Sequence, residues 1–295
     1  MKTSQDSALP EPAESFVPSA QTLPNNQLSA AIRDVFLALF MWAASVALLL
    51  LPQFLALPYV ATHYRGRTIA PEVLLADKTL ILILVAGILP AHLLTLVIAW
   101  CVSTRFGKIP ITKALRWQWE RRVSIAKSMA LAVFLFAIAW TIALAFGGKE
   151  TNIERIINSS RAAALLLAFL AVTTAPLVEE IVYRGILFPA WERLTGSVTA
   201  VVIVTFMFAI PHVPQYWPNW AVIFSITLLS AVLTVVRART GRLMPCYIIH
   251  LVFNGIQSII IVAEPYLRPL LNPRPPETAP AFLHSILALL SCSMK

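Results

Sequence analysis

The chain has 295 residues, of which 58% are hydrophobic and only 13% are charged, and its mean hydropathy is +0.76. Because charged residues make up roughly a quarter of soluble domains, this composition excludes a soluble globular protein and indicates a polytopic membrane protein. The net charge of +9 does not indicate nucleic-acid binding, since the basic residues are spread through short loops and form no basic domain.

The amino-terminal half of the sequence alternates between apolar runs and short polar connections. Residues 1–30 are rich in Ser, Gln and Pro and predict a disordered polar cytoplasmic tail. Apolar runs follow at 35–57, 79–102 and 126–146, and each of them reaches the about 20 residues that a helix needs to cross a bilayer. Residues 31–150 are therefore predicted to contain three N-terminal transmembrane helices.

The remaining residues, 151–295, are predicted to hold the functional core and a final helix. The fourth apolar run, 161–193, contains Pro176, which predicts a kink in the preceding turn. Further runs lie at 197–210, 220–236 and 243–262, with a weaker eighth run at 281–290. The sequence as a whole predicts an all-α polytopic bundle of about eight transmembrane helices.

The distribution of basic residues predicts the orientation in the membrane. More Lys and Arg lie on the side of the amino terminus than on the opposite side, and the trio Arg237, Arg239 and Arg242 contributes to this excess. Since cytoplasmic loops are enriched in basic residues, both termini are expected in the cytoplasm. We expect an integral multi-pass protein of the cytoplasmic (inner) membrane.

Several polar residues stand at membrane depth within these apolar runs. Glu179 and Glu180 lie in the fourth run, where each buried charge costs about 2.5–3.5 kcal/mol. His212 closes the fifth run, and His250 and Asn254 lie four residues apart in the seventh, on one helix face. Helical rise places these groups at similar depths, which predicts one water-accessible cavity between helices 4, 5 and 7.

Two further residues in the apolar runs, Arg184 and His92, carry separate expectations. Arg184 follows Glu180 by four residues, so the two are expected to form a buried ion pair that leaves Glu179 free. His92, in the second run, belongs to no motif and is expected to be a packed polar residue or an interfacial group.

Three motifs occur together in this part of the chain. Glu179 to Arg184 looks like an EExxxR motif, Phe208 to His212 looks like FxxxH, and His250 to Asn254 looks like HxxxN. In this order they resemble the CPBP family, the CAAX proteases and bacteriocin-processing enzymes also called the Abi family. The resemblance covers about residues 161–262.

The resemblance implies an intramembrane endopeptidase that cleaves a membrane-associated or lipid-modified protein or peptide. Glu179 matches the first glutamate of the family motif and would activate water, with His212 holding or deprotonating that water. His250 and Asn254 would donate hydrogen bonds to the developing oxyanion. The expected supporting residues are Glu180, Arg184 and Phe208.

The cofactor and the function class leave alternatives open. We favour a glutamic-type mechanism without a cofactor, because the chain has no HExxH motif. The alternative is a metalloprotease that binds zinc through Glu179, His212 and His250. A proton- or ion-coupled transporter and a non-catalytic scaffold or immunity factor are the competing functions. The expected partners are the lipid bilayer and a membrane-associated peptide or prenylated protein, with no nucleic acid.

Overall fold

A computed structural model describes residues 24–67, 70–120 and 123–271, and every regular element within these ranges is a helix. The amino-terminal part contains α1 (Asn25–Leu48), α2 (Leu51–His63), α3 (Pro71–Ala76), α4 (Lys78–Ala86), α5 (Ile88–Thr104), α6 (Ile111–Ala114) and α7 (Ile125–Phe146). The rest contains α8 (Asn152–Ser159), α9 (Arg161–Thr173), α10 (Ala175–Glu179), a π-helical segment (Glu180–Leu187), α11 (Phe188–Thr195), α12 (Ser197–Ala209), a 3₁₀ turn (Ile210–His212), α13 (Val213–Tyr216), α14 (Trp220–Thr240) and α15 (Met244–Leu271).

Seven helical stretches of the described chain are long and apolar enough to cross a membrane. They are Asn25–His63, Lys78–Thr104, Ile125–Phe146, Arg161–Thr195, Ser197–Tyr216, Trp220–Thr240 and Met244–Leu267. Large apolar side chains such as Phe36, Phe40 and Phe54 are exposed on the outer faces of these helices, as expected for a surface in contact with lipid. The prediction of an all-α polytopic bundle is therefore confirmed. The predicted eighth run, 281–290, lies outside the described residues.

The first helix begins earlier than its apolar run predicts. The tail was expected to extend to residue 30, but α1 begins at Asn25, directly after Pro24. The reason is local, since proline is favoured at helix starts and the following residues include good helix formers such as Gln, Leu and Ala. The hydroxyl of Ser29 also donates a hydrogen bond to the carbonyl of Asn25. The predicted tail is thus too long by this first turn and a half, and residues 1–23 lie outside the described range.

The main apolar core surrounds the π-helical segment. All eight of its residues are buried, and they pack against side chains of α1, α11 and α12, including Val35, Phe188 and Phe208. Helices α9 and α15 lie side by side, and α14 packs against α12. This packing places α5, α10, α12 and α15 around one point within the bundle.

Candidate active site

The helical stretch Arg161–Thr195, which contains the EExxxR motif, is interrupted on both sides of Glu179. Helix α9 ends at Thr173 and α10 begins at Ala175, with Pro176 in its first turn. Because proline has no N–H and clashes with the preceding turn, it interrupts the helical hydrogen-bond ladder there, as the sequence predicts. A π-helical segment then begins at Glu180. Such segments are rare and are frequent at functional sites, and nothing in the sequence pattern indicated this one.

The second glutamate is sealed inside the protein by an ion pair. Arg184 Nη1 lies 3.0 Å from Glu180 Oε1, and both side chains are 0% exposed. The same guanidinium donates to Thr234 Oγ1 at 3.3 Å and to Ser230, at 3.0 Å to its carbonyl and 2.8 Å to its hydroxyl. The ion pair and these hydrogen bonds offset part of the burial cost, whereas Glu180 Oε2 is buried without a hydrogen-bond partner among the described residues. The ion pair predicted from the spacing is present.

Three residues that hold Arg184 of this ion pair lie on one face of α14, and they were not identified from the sequence. Ser230 and Thr234 hold the guanidinium of Arg184, and Arg237 Nε donates to the Arg184 carbonyl at 2.9 Å. The sequence counts Arg237 among the basic residues on the side of the amino terminus, and the structure places it in the last turn of α14, where it is only 3% exposed. The available signal was the spacing of these polar residues, which places them on one side of an otherwise apolar helix.

His250 lies between the two glutamates. Its Nδ1 is 2.8 Å from Glu180 Oε1, and its Nε2 is 3.5 Å from Glu179 Oε2. The contact with Glu180 assigns the hydrogen of the neutral ring to Nδ1, because a carboxylate can only accept. In the imidazolium form both ring nitrogens are donors, and each then faces a carboxylate oxygen. His250 thereby links the sealed glutamate to the accessible one.

His212 approaches Glu179 from the opposite helix. Pro211 ends the regular α12, and His212 lies in the 3₁₀ turn that follows. Its Nδ1 donates to the Phe208 carbonyl at 2.8 Å, and its ring stacks on the Phe208 ring at 4.8 Å. The Nε2 atom is therefore left with a lone pair, 3.9 Å from Glu179 Oε1. Phe208 thus fixes both the tautomer and the orientation of His212.

Phe208 also connects the two halves of the site. Its ring makes an edge contact with His250 at 6.1 Å between centroids, and the Arg184 guanidinium lies 4.8 Å above it. Tyr183 packs edge-on against the same ring at 4.9 Å. The FxxxH phenylalanine is therefore buried between the histidines and the anchoring arginine, a position that the motif spacing alone did not reveal.

Asn254 is placed differently from the other predicted catalytic residues. Its Nδ2 donates to the carbonyl of Ala171 in α9 at 3.0 Å, and one turn further along α15 the Ser258 hydroxyl donates to the Ala168 carbonyl at 3.1 Å. Among the described residues, no hydrogen bond joins Asn254 to Glu179, His212 or His250. Its amide group has a second N–H that this contact does not use. Glu179, His212 and His250 thus converge, and Asn254 lies beside them against α9.

The accessibility of the two glutamates separates their roles physically. The Glu179 side chain is 23% exposed and that of His212 is 17% exposed, whereas Glu180 has no exposure. A substrate or a water molecule can therefore reach Glu179 but not Glu180. The distances of 3.5 and 3.9 Å from Glu179 to the two imidazoles exceed ordinary hydrogen bonds, and contacts of this length are commonly bridged by water.

Glu179, His212 and His250 are also the residues expected to bind zinc in the metalloprotease alternative. Their chemistry suits zinc, and each histidine already directs its other ring nitrogen to a carbonyl or carboxylate, as zinc-binding histidines do. In the described part of the chain, however, no three His, Cys, Asp or Glu side chains are arranged so that they could hold a metal ion. Zinc binding by these residues stays a prediction.

The part of the chain that contains these residues matches a known protein family. Residues 161–256 match the family model described as Rce1-like, type II CAAX prenyl endopeptidase. The match begins with α9 and ends within α15, so it includes the two glutamates, both site histidines and Asn254. Neither a curated protein nor a solved structure gives a significant match. Residues 161–256 therefore form an Rce1-like domain, consistent with the CPBP family, within a multi-pass membrane protein.

Proposed function

We propose that the protein is an intramembrane endopeptidase in which Glu179 activates the attacking water. The Rce1-like match supports a CAAX-type intramembrane endopeptidase in general. The observation that carries the finer proposal is the convergence of one accessible carboxylate with the Nε2 atoms of His212 and His250, at 3.9 and 3.5 Å. The other nitrogen of each ring is held by a fixed acceptor.

The water would lie between Glu179 and His212. It would donate one hydrogen bond to a Glu179 oxygen and one to the lone pair on His212 Nε2, which directs its oxygen lone pair towards the scissile carbonyl. As that oxygen attacks the carbonyl carbon, its proton moves to Glu179. The protonated carboxyl then transfers the proton to the leaving amine nitrogen when the C–N bond breaks.

Stabilisation of the oxyanion is assigned to His250 and Asn254. In its imidazolium form, His250 donates from Nε2, while the negative charge of Glu180 at Nδ1 stabilises the positive ring. The N–H of Asn254 that is not bound to Ala171 is the second donor. Donors of this kind act strongly where they are shielded from solvent, as His250 is at 2% exposure.

A membrane-associated substrate follows from the location of the site within apolar helices. For the class of substrate, the domain match points to a prenylated protein with a carboxyl-terminal CAAX sequence. Glutamic-type catalysis and the assignment of individual residues are parts of this proposal.

The test is cleavage of a farnesylated CAAX peptide by the purified full-length protein in liposomes, with products identified by mass spectrometry. Glu179→Gln should lower kcat by at least about 100-fold, since it removes the proton acceptor but preserves size. The matched control is Glu150→Gln, at an exposed glutamate that pairs with Arg155 away from the site, and it should keep full activity. Cleavage by Glu179→Gln at the wild-type rate, or proton-driven substrate uptake without cleavage, would contradict the proposal.

A further inference from the structure

His92 is a histidine near the site that lies outside the matched domain. It belongs to α5, on the second membrane-spanning stretch, whereas the domain match starts at residue 161. Its Nδ1 lies 2.7 Å from Thr174 Oγ1, and it also interacts electrostatically with Glu179. His92 matches no motif, and its contact with Thr174 is the kind of polar packing expected for it. Thr174, however, lies at the junction between α9 and α10.

Thr174 is the residue at the break between α9 and α10. It lies after the last residue of α9 and immediately before Ala175, the first residue of α10. Its hydroxyl oxygen lies 3.3 Å from the Leu170 carbonyl and 2.7 Å from His92 Nδ1, so the contact with His92 is the shorter of the two.

This contact lies where the helix lacks one of its own backbone hydrogen bonds. Pro176 has no N–H to donate, although the N–H and carbonyl of Thr174 still bond to Leu170 and Val178, so side-chain contacts add to the backbone in setting the direction of α10. Glu179 follows Thr174 by five residues, which corresponds to about 7.5 Å along the helix axis. A small change in direction at Thr174 therefore moves the Glu179 carboxylate relative to both site histidines.

A second tether holds the same region from another helix. Asn254 of α15 donates to the carbonyl of Ala171, one turn before Thr174. Helix α10 also packs against both α5 and α15. The chain just before α10 is thus held by a side chain of α5, at Thr174, and by a side chain of α15, at Ala171.

We infer that His92 is a positioning residue for Glu179, acting through its hydrogen bond to Thr174 and not through contact with the substrate. The inference rests on the proposed function, and it gives the N-terminal helices a role in the site that the domain match does not include. Since displacement of a catalytic group by about 1 Å can reduce a rate by about 100-fold, the loss of this tether should lower kcat and leave KM nearly unchanged.

Two amide substitutions separate the tether from the other properties of the ring. The side-chain nitrogen of Asn is bonded to Cγ, as Nδ1 is, whereas that of Gln is one bond further out, as Nε2 is. His92→Asn should therefore keep kcat within about threefold of wild type, and His92→Gln and His92→Ala should lower it by about 10-fold or more. His63→Ala, at a histidine near the end of α2 that stacks on Tyr59, is the control and should be neutral.

The partner residue gives an independent test. Thr174→Val removes the hydroxyl while keeping the branched shape, and it should reproduce the fall in kcat, whereas Thr174→Ser should retain activity. The double variant His92→Ala, Thr174→Val should be no slower than the slower single variant, because both remove one interaction.

Several results would overturn the inference. Wild-type kcat in His92→Ala, equal losses in the Asn and Gln variants, or additive losses in the double variant would each do so. These outcomes are distinguishable from failure of the proposed function, because Glu179→Gln measured in the same assay remains inactive if only the role of His92 is wrong. If Glu179→Gln is active, the proposed function itself has failed.

Discussion

His250 and Glu180 are joined by a hydrogen bond of 2.8 Å between Nδ1 and Oε1, inside a part of the protein that solvent does not reach. Glu180 Oε1 also lies 3.0 Å from Arg184 Nη1, so a single carboxylate oxygen contacts both a histidine and an arginine. The charge of Glu180 is therefore used to orient His250, whose other nitrogen faces the accessible Glu179.

The two nitrogens of His250 can be separated by substitution. His250→Asn keeps a donor in the position of Nδ1 and removes Nε2, so we expect normal folding but a loss of about 100-fold in kcat. This is the opposite of the outcome expected for His92→Asn. His250→Ala removes both nitrogens and should also destabilise the protein by about 1–3 kcal/mol, because a hydrogen bond to a buried carboxylate is lost. Wild-type kcat in His250→Asn would show that Nε2 has no part in catalysis.

The buried ion pair between Glu180 and Arg184 should make a large contribution to the stability of the helical stretch that contains it. Arg184→Met leaves the Glu180 carboxylate buried without its cation, and we expect a loss of about 3–5 kcal/mol in the free energy of unfolding, measured by circular dichroism in detergent. The double variant Glu180→Gln, Arg184→Met should recover part of this loss. The matched control is Arg155→Met, because the pair of Arg155 with Glu150 is solvent-exposed and should contribute less than about 1 kcal/mol. Equal losses in the free energy of unfolding for Arg184→Met and Arg155→Met would contradict a stabilising role of the buried ion pair.

Metal dependence can be measured directly. If catalysis is of the glutamic type, treatment of the purified protein with EDTA and with 1,10-phenanthroline should leave kcat unchanged, and elemental analysis should find substoichiometric zinc. Zinc at one ion per chain, activity lost on chelation and restored by zinc, and loss of the ion in both His212→Ala and His250→Ala would instead establish the metalloprotease alternative.

A pH dependence of stability is expected from Glu154, which lies between two membrane-spanning stretches. Burial raises the pKa of this carboxyl above its ordinary value of 4.5, although hydrogen bonds from Thr151 oppose the shift. The folded state therefore resists ionisation, and stability should fall as the pH rises through the window just above 4.5 and stay constant beyond it. Glutamine can keep the capping contact with Thr151, so Glu154→Gln should lose this part of the pH dependence.

The comparison that checks this is the melting temperature of wild type and Glu154→Gln between pH 4 and 8, measured in the same detergent. The difference between the two melting temperatures should shift in favour of Glu154→Gln as the pH rises through the window just above 4.5 and should then level off. A difference that is independent of pH would show that the burial of this carboxyl does not affect folding.

The sequence by itself determined the class of fold and most of the membrane-spanning stretches, and its motifs predicted candidate residues for the site. Hydropathy identified the spans because a helix in lipid must be apolar over about 20 residues, which is a property of each segment alone. Spacing determined that Arg184 pairs with Glu180, because residues four apart on a helix are neighbours whatever the rest of the fold does. The interruption at Pro176 was predictable for the same reason, since it depends on the chemistry of one residue.

Only the tertiary structure decided which groups meet across helices. Each residue rotates the helix face by about 100°, so the π-helical segment after Glu179 redirects side chains in a way that regular periodicity does not predict. The bonds from His250 to Glu180, from Asn254 to Ala171 and from His92 to Thr174 join residues separated by 70 or more positions. The register between packed helices sets such contacts, and it arises from the packing of the whole bundle.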